Sequence, residues 1–166
     1  RRGSIGLTSG TNLTVEAGIN GIQATNGSVS LQAGQDLLLG TLSNFGDVRG
    51  SGLTLSADRD IIVVNSTFVQ ADGVAGVGAT AGRDITIQGD SLINAKAGAA
   101  PLSLTTGNGG VLTINNANGT SGSASNGGPI TVTADDVVLT SGTISSSGNV
   151  FVRPVSAGRG IDLGTN

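Results

Sequence analysis

Five residues able to hold a cation or cap a turn recur along the chain, the first four at a 24-residue interval and the fifth after a skipped level: Asn12, Asp36, Asp60, Asp84 and Asp136. Each closes a short turn, as in Gly34-Gln35-Asp36, Asp58-Arg59-Asp60, Gly82-Arg83-Asp84 and Ala134-Asp135-Asp136. If the turns stack, one carboxylate per level lies about 5 Å from the next, a spacing that attracts calcium. The competing use is structural, each side-chain oxygen accepting a backbone N–H in an Asx turn. Capping is the favoured reading. The column begins with an amide, is interrupted at Val111, and lacks the Gly-Gly-x-Gly-x-Asp calcium repeat. Arg59 and Arg83 stand beside two of the aspartates and offset their mutual repulsion.

Asp58 with Asp60, and Asp135 with Asp136, are the carboxylate pairs that acid–base cleavage of a glycan would need. They lack the surroundings for it. No Tyr or Trp is available to stack on a sugar, and no basic cluster or cleft-building long loop accompanies either pair. With no His and no Cys, imidazole and thiolate chemistry, any thiolate or imidazole site for zinc, haem or iron–sulfur, and disulfides are all excluded. No catalytic, metal-binding or cofactor-binding residue is assigned, no cofactor is expected, and the chain is read as not an enzyme.

Composition narrows the class further. Glycine supplies 29 of 166 residues, charged residues 11% and aromatics 2%, namely Phe45, Phe68 and Phe151. Hydrophobics at 37% and a net charge of −3 argue against disorder. The glycines keep no three-residue period, so collagen is excluded. The longest apolar runs, such as Ile61 to Val64, are far too short to span a membrane. An acidic balance with scattered arginines makes nucleic acid a poor partner. The sequence starts at Arg1 without a leader pattern, and is expected to be an internal or processed piece of a longer chain.

The elements that would position the acidic column are themselves repeated. Apolar-x-apolar triplets end at Val15, Leu39, Val63, Ile87, Ile114, Leu139 and Leu163, stepping by 24, 24, 24, 27, 25 and 24 residues. An earlier triplet precedes each: Ile5-Gly6-Leu7, Val29-Ser30-Leu31, Leu53-Thr54-Leu55, Val77-Gly78-Ala79, Leu102-Ser103-Leu104, Ile130-Thr131-Val132 and Val150-Phe151-Val152. A weaker third patch follows, with Ile19 and Ile22, Leu42 and Phe45, Phe68 and Val69, Leu92 and Ile93, then Ile144. One such unit cannot bury its inward face alone, whereas stacked units share one continuous core. Helical periodicity is absent, and Thr, Ser, Asn, Val and Gly disfavour helix. An antiparallel sandwich gives no reason for corresponding positions to repeat their chemistry.

The sequence therefore predicts an all-β fold, a parallel β-helix (β-solenoid) of about seven coils of about 24 residues, expected to be right-handed. The coils fall near 5–28, 29–52, 53–76, 77–101, 102–129, 130–149 and 150–166, with a loop insertion at 115–128. The expected core stack is Val15, Leu39, Val63, Ile87, Ile114, Leu139 and Leu163.

Val29-Ser-Leu-Gln-Ala-Gly-Gln-Asp-Leu-Leu-Leu39, Leu53–Val63 and Thr80-Ala-Gly-Arg-Asp-Ile-Thr-Ile87 resemble the filamentous-haemagglutinin type repeat of large exported bacterial proteins. The resemblance covers essentially the whole chain. It implies a secreted or outer-surface protein of a Gram-negative bacterium, exported by two-partner secretion or as an autotransporter passenger. It implies adhesive, biofilm or filament-forming work, with the chain as a mid-shaft segment. The implied partners are a second copy, end-to-end or lateral, and host or matrix glycans or proteins, without membrane insertion.

Such a fold also serves other functions, each of which needs particular residues. A carbohydrate-active β-helix enzyme would use the aspartate pairs above, and the stalk of a contact-dependent toxin would share the shaft. An ice-binding face needs a regular threonine array, but the outward columns read Thr14, Leu38, Ile62, Thr86, Thr113, Val138, Asp162 and Thr8, Gln32, Ser56, Thr80, Thr105, Thr133, Arg153. Leu38, Ile62 and Val138 are outward yet apolar, either covered by a neighbouring segment or forming a lateral contact patch. Asn12, Asn26, Asn65 and Asn118 head N-x-Ser/Thr sequons, which arise by accident in so polar a chain.

Overall fold

The computed structural model describes residues 3–16, 21–41, 43–117, 120–121 and 123–161. Among them there is no helix; the chain winds as a parallel β-solenoid of about six turns. Each turn contributes three short strands, and each strand pairs in parallel with its counterpart in the next turn.

The first ladder runs through Ile5–Ser9, Val29–Ala33, the second half of Val48–Ala57, the second half of Phe68–Ala81, Leu102–Thr105, Ile130–Thr133 and Val150–Arg153. Its register joins Ile5, Val29, Leu53, Val77, Leu102, Ile130 and Val150 in one file. The alternation of small polar and aliphatic residues sets this directly, because side chains of a strand point to opposite faces in turn. In Val29–Ala33 the inward Val29, Leu31 and Ala33 are fully buried while Ser30 and Gln32 are exposed.

The second ladder runs through Leu13–Val15, Leu37–Leu39, Ile61–Val63, Ile85–Gln88, Val111–Ala117 and Asp136–Thr140. It aligns Val15, Leu39, Val63, Ile87, Ile114 and Leu139. The first five are buried, but Leu139 is 48% exposed and is not a core residue. It is in register, yet no described strand covers it from the far side. Leu163 lies outside the described residues.

The third ladder corrects the sequence reading in two places. Its members are Ile22–Gln23, the start of Val48–Ala57, the start of Phe68–Ala81, Leu92–Ala95, Ser123–Asn126 and Thr143–Ser146. Val48 faces inward in the second turn, and Phe45 is exposed; Ile19 and Leu42 lie outside the described residues. Residues 115–128, expected to bulge as one loop, instead extend the strand Val111–Ala117, turn back through the antiparallel Thr120–Ser121, and rejoin the solenoid as Ser123–Asn126. The inward Ala124 is fully buried there.

Corners are closed by coil-to-coil backbone bonds, such as the Leu13 N–H to the Asp36 carbonyl and the Gly34 N–H to the Ser9 carbonyl. Where the third strand runs directly into the first, Asp72, Gly73, Val74 and Ala75 stand opposite the single Ser51, because the register shifts between Gly50 and Gly52. Val74 projects from this arch and is 86% exposed.

Candidate functional site

The acidic column does assemble, and its oxygens face backbone donors. The Asn12 Oδ1 accepts the Asp36 N–H (3.2 Å), Asp36 accepts the Asp60 N–H, Asp60 Oδ1 accepts the Asp84 N–H (3.2 Å), and Asp84 Oδ1 accepts the Val111 N–H (2.8 Å). The expectation of turns capped locally is thus corrected in these four members. Each side chain caps the next coil, one level along the rod. Only Asp136 bonds locally, through the Val137 N–H at 2.8 Å.

The arginines follow from the same geometry. Arg59 precedes Asp60 in its own turn, so its side chain reaches back to Asp36 in the coil before it. Nε donates to Asp36 Oδ1 at 2.6 Å and the second nitrogen to Oδ2. Arg83 grips Asp60 in the same fork, with Nε at 2.8 Å, and lies 3.3 Å from Asp84. Such two-pronged, charge-assisted pairs are the strong form of this contact. The Arg59 fork is the main cause holding the Asp36 carboxyl below its ordinary range, with burial opposing it. Among the described residues no group of three or more acidic side chains gathers for a metal ion.

The two members of each suggested acid pair differ in their surroundings. Asp58 is exposed on a bend, while Asp60 is 8% exposed and engaged as above. Asp135 is 3% exposed. Its Oδ2 accepts the Gly109 N–H at 2.6 Å, its Oδ1 the Ser156 N–H at 2.7 Å, and the Ser156 hydroxyl also donates to it. One carboxylate therefore fastens three successive coils.

These donors, the Ser156 hydroxyl first, pull the Asp135 carboxyl down to about 2. A carboxyl with a depressed folded pKa stabilises above its unfolded value of 3.8 and loses that contribution as pH falls toward 2. The denaturation midpoint of Asp135→Asn is therefore expected well below that of the native chain at pH 5. The gap should narrow between pH 4 and pH 2, and urea titrations at four pH values read this directly. A gap constant with pH would mean that the ionised form carries no advantage.

A second cluster went unread in the sequence. The outward positions of the third ladder form a face of Gln23, Arg49, Gln70 and Asn94, one per turn. Arg49 is its centre. Unlike Arg59 and Arg83, it has no forked partner. Its Nε is buried with no hydrogen-bond partner, and its nearest carboxylate oxygen is Asp47 Oδ2 at 3.9 Å. Asp47 is itself held by the Phe68 N–H at 2.9 Å.

Two hollows meet at Arg49. One, of about 570 Å³, is lined by Gln23, Thr25, Asn26, Ser51 and Asp72 as well as Arg49. The other, of about 310 Å³, is lined by Phe45, Asp47, Ser66 and Phe68 with Arg49. The signal was present in the period-two runs Asp47-x-Arg49-x-Ser51 and Phe68-x-Gln70-x-Asp72, which place chemistry on a single outward face.

Leu38 and Ile62 are neighbours in one outward column and are half-buried, whereas Val138 is 40% exposed. Thr8, Gln32, Ser56, Thr80, Thr105, Thr133 and Arg153 share one register column, which is not a threonine array. Of the sequons, Asn12 serves the capping ladder, Asn26 lines the larger hollow, and Asn118 lies outside the described residues.

These features define a repeat protein of the parallel β-solenoid class. Compared with family models, curated proteins and solved structures, the chain matches none.

Proposed function

We propose that the chain is a segment of a structural, adhesive shaft belonging to a secreted or outer-surface bacterial filament protein. The reading is carried by one observation: the column that could have done chemistry is spent on joining coil to coil. Asn12, Asp36, Asp60 and Asp84 each cap the following coil, and both neighbouring arginines are locked to that column. The outward column of the first ladder, Thr8, Gln32, Ser56, Thr80, Thr105 and Thr133, is polar and uncharged, suited to many weak contacts along a rod. The resemblance to filamentous-haemagglutinin repeats supports the same reading, and with it a Gram-negative cell surface and glycans, matrix proteins or a second copy as partners.

The described stack leaves Val150 and Phe151 of the first ladder and Val138 and Leu139 of the second exposed. These exposed apolar side chains support a second copy as partner.

Beads coated with the chain at graded density, washed over glycan- and matrix-coated surfaces, test the reading. Attachment is expected to rise steeply with density, as multivalent contact requires, while the bound polymer stays intact. Depolymerisation of the polysaccharide that is lost in Asp58→Asn or Asp60→Asn would replace the shaft with an enzyme. Attachment that saturates at low density with no dependence on spacing would also overturn it.

A further inference from the structure

We propose that the face centred on Arg49 is a binding groove for a neutral oligosaccharide, a chain of uncharged hexose units lying across the first three coils. The inference rests on the adhesive reading and gives its glycan a chemistry and an address. Its starting point is an arginine whose donors are unspent. A guanidinium has five N–H donors in a rigid fork. Here one of them, on Nε, is buried without an acceptor, and the ion-pair partner Asp47 stands 3.9 Å away, beyond hydrogen-bond reach. The Arg49 side chain is 42% exposed and, unlike those of Arg59 and Arg83, is not forked onto a carboxylate, so a ligand oxygen arriving at its outer nitrogens meets donors that are not already paired.

The groups around Arg49 specify what should arrive. On one side Phe45 and Phe68 are 40% and 37% exposed and line the smaller hollow. An aromatic face accepts the C–H side of a sugar ring, combining apolar contact with a polar rim. On the other side Gln23, Asn26, Ser51 and Asp72 line the larger hollow. They offer amide donors and acceptors, a hydroxyl and a carboxylate, the set that pairs with adjacent sugar hydroxyls. Asp72 is oriented by the Gln70 amide, whose nitrogen donates to its Oδ1 at 2.6 Å. The arch of Asp72 to Ala75 walls this side.

Charge decides between neutral and acidic sugars. Asp47 and Asp72 flank the single cation Arg49 in the two hollows. A uronate or sialate would bring a third carboxylate against those two, whereas hydroxyls find both donors and acceptors. The strand rungs beneath the face repeat every ~4.8 Å, so a linear saccharide meets fresh polar groups at each step: Gln23, then Arg49, then Gln70.

The test is titration calorimetry of the chain against linear neutral hexose oligosaccharides (glucans, galactans and mannans), with uronic-acid oligomers beside them. At least one neutral class is expected to bind saturably. Arg49→Ala should raise its Kd about tenfold or more. Arg49→Lys should do nearly the same, since an ammonium cannot reproduce the fork. Phe68→Ala should weaken binding severalfold, and Arg59→Ala should leave it unchanged. Thermal unfolding of each variant separates lost binding from lost folding.

The proposal is overturned if no neutral oligosaccharide binds, if uronates bind more tightly, or if folded Arg49→Ala keeps native affinity. The bead assay distinguishes its failure from that of the shaft. Attachment unchanged in Arg49→Ala sinks the groove alone; a native chain that attaches to nothing sinks both.

Discussion

Replacing Ile87 by alanine is expected to destabilise the chain by about 2–5 kcal/mol, the usual cost of truncating a fully buried aliphatic side chain. Replacing Leu139 should cost under about 1 kcal/mol, although both residues belong to one register file. Ile87 is fully buried between Val63 and Ile114, at 0% exposure. A cavity there is bounded by a coil above and a coil below, and neither can collapse without disturbing its own strand pairing. Leu139 is 48% exposed, so half its surface already meets water, and shortening it opens no enclosed void.

In a solenoid, stability is close to a sum of coil terms and nearest-neighbour interfaces. The Ile87 loss therefore weakens two interfaces at once. Urea denaturation of both variants, with midpoints and slopes compared, checks this. Equal losses would mean that Leu139 is covered by chain beyond the described strands. A negligible loss for Ile87→Ala would undo the single-core architecture.

The contrast between these two residues also shows how far the sequence could be read. Triplets such as Leu37-Leu38-Leu39 and Ile61-Ile62-Val63 announce their ladder because large aliphatic residues alternate at a fixed pitch, bounded by Gly-x-Asp turns. The register follows from the pitch, since a one-residue slip would turn Leu39 or Val63 to solvent. What the pitch cannot report is how exposed each level is: Leu139 has the spacing of a core residue and is 48% exposed.

The third ladder was harder for a different reason. Its inward residues include Gly50, Ala71, Ala95 and Ala124, too small to stand out against Ser, Gly and Asn neighbours. Ser123–Asn126 forms because neighbouring strands satisfy its backbone, with the strands Leu92–Ala95 and Thr143–Ser146 on either side. A composition of Ser, Ala and Asn gives little hint of that. Phe45 and Phe68 misled in the opposite sense: both are large and apolar, and both are outside. Their exposure is what makes the Arg49 face a candidate site. The acidic column was legible in its spacing and its structural role, but whether each oxygen served its own turn or the next coil depended on a rise that only the stacked geometry supplies.

Glycine is the commonest residue type in the first strand's approach to coil four, and two neighbouring glycines there should respond oppositely to substitution. Gly76 has φ of +72°, a region that costs other residues about 1–3 kcal/mol. A Cβ at Gly76 would also run into the Pro101 carbonyl oxygen and lie 2.9 Å from the Pro101 Cδ. That carbonyl accepts the Val77 N–H at 3.0 Å and begins the pairing of the fourth and fifth coils. Gly76→Ala therefore combines backbone strain with displacement of a ladder bond, and is expected to cost about 2–4 kcal/mol.

Gly78, two residues on, has open space where its Cβ would stand, and it faces outward between Thr54 and Ser103. Gly78→Thr should stabilise by about 0.5–1 kcal/mol, because threonine loses less backbone entropy than glycine and suits a pleated outward position. Thermal unfolding of the two variants against the native chain gives both signs in one experiment. A Gly76→Ala variant as stable as the native chain would mean that the corner relaxes to an ordinary φ and that the arch at Asp72 to Ala75 is not fixed by it. Because Asp72 and Gly73 of that arch line the larger hollow beside Arg49, the same variant should also weaken the oligosaccharide binding proposed there.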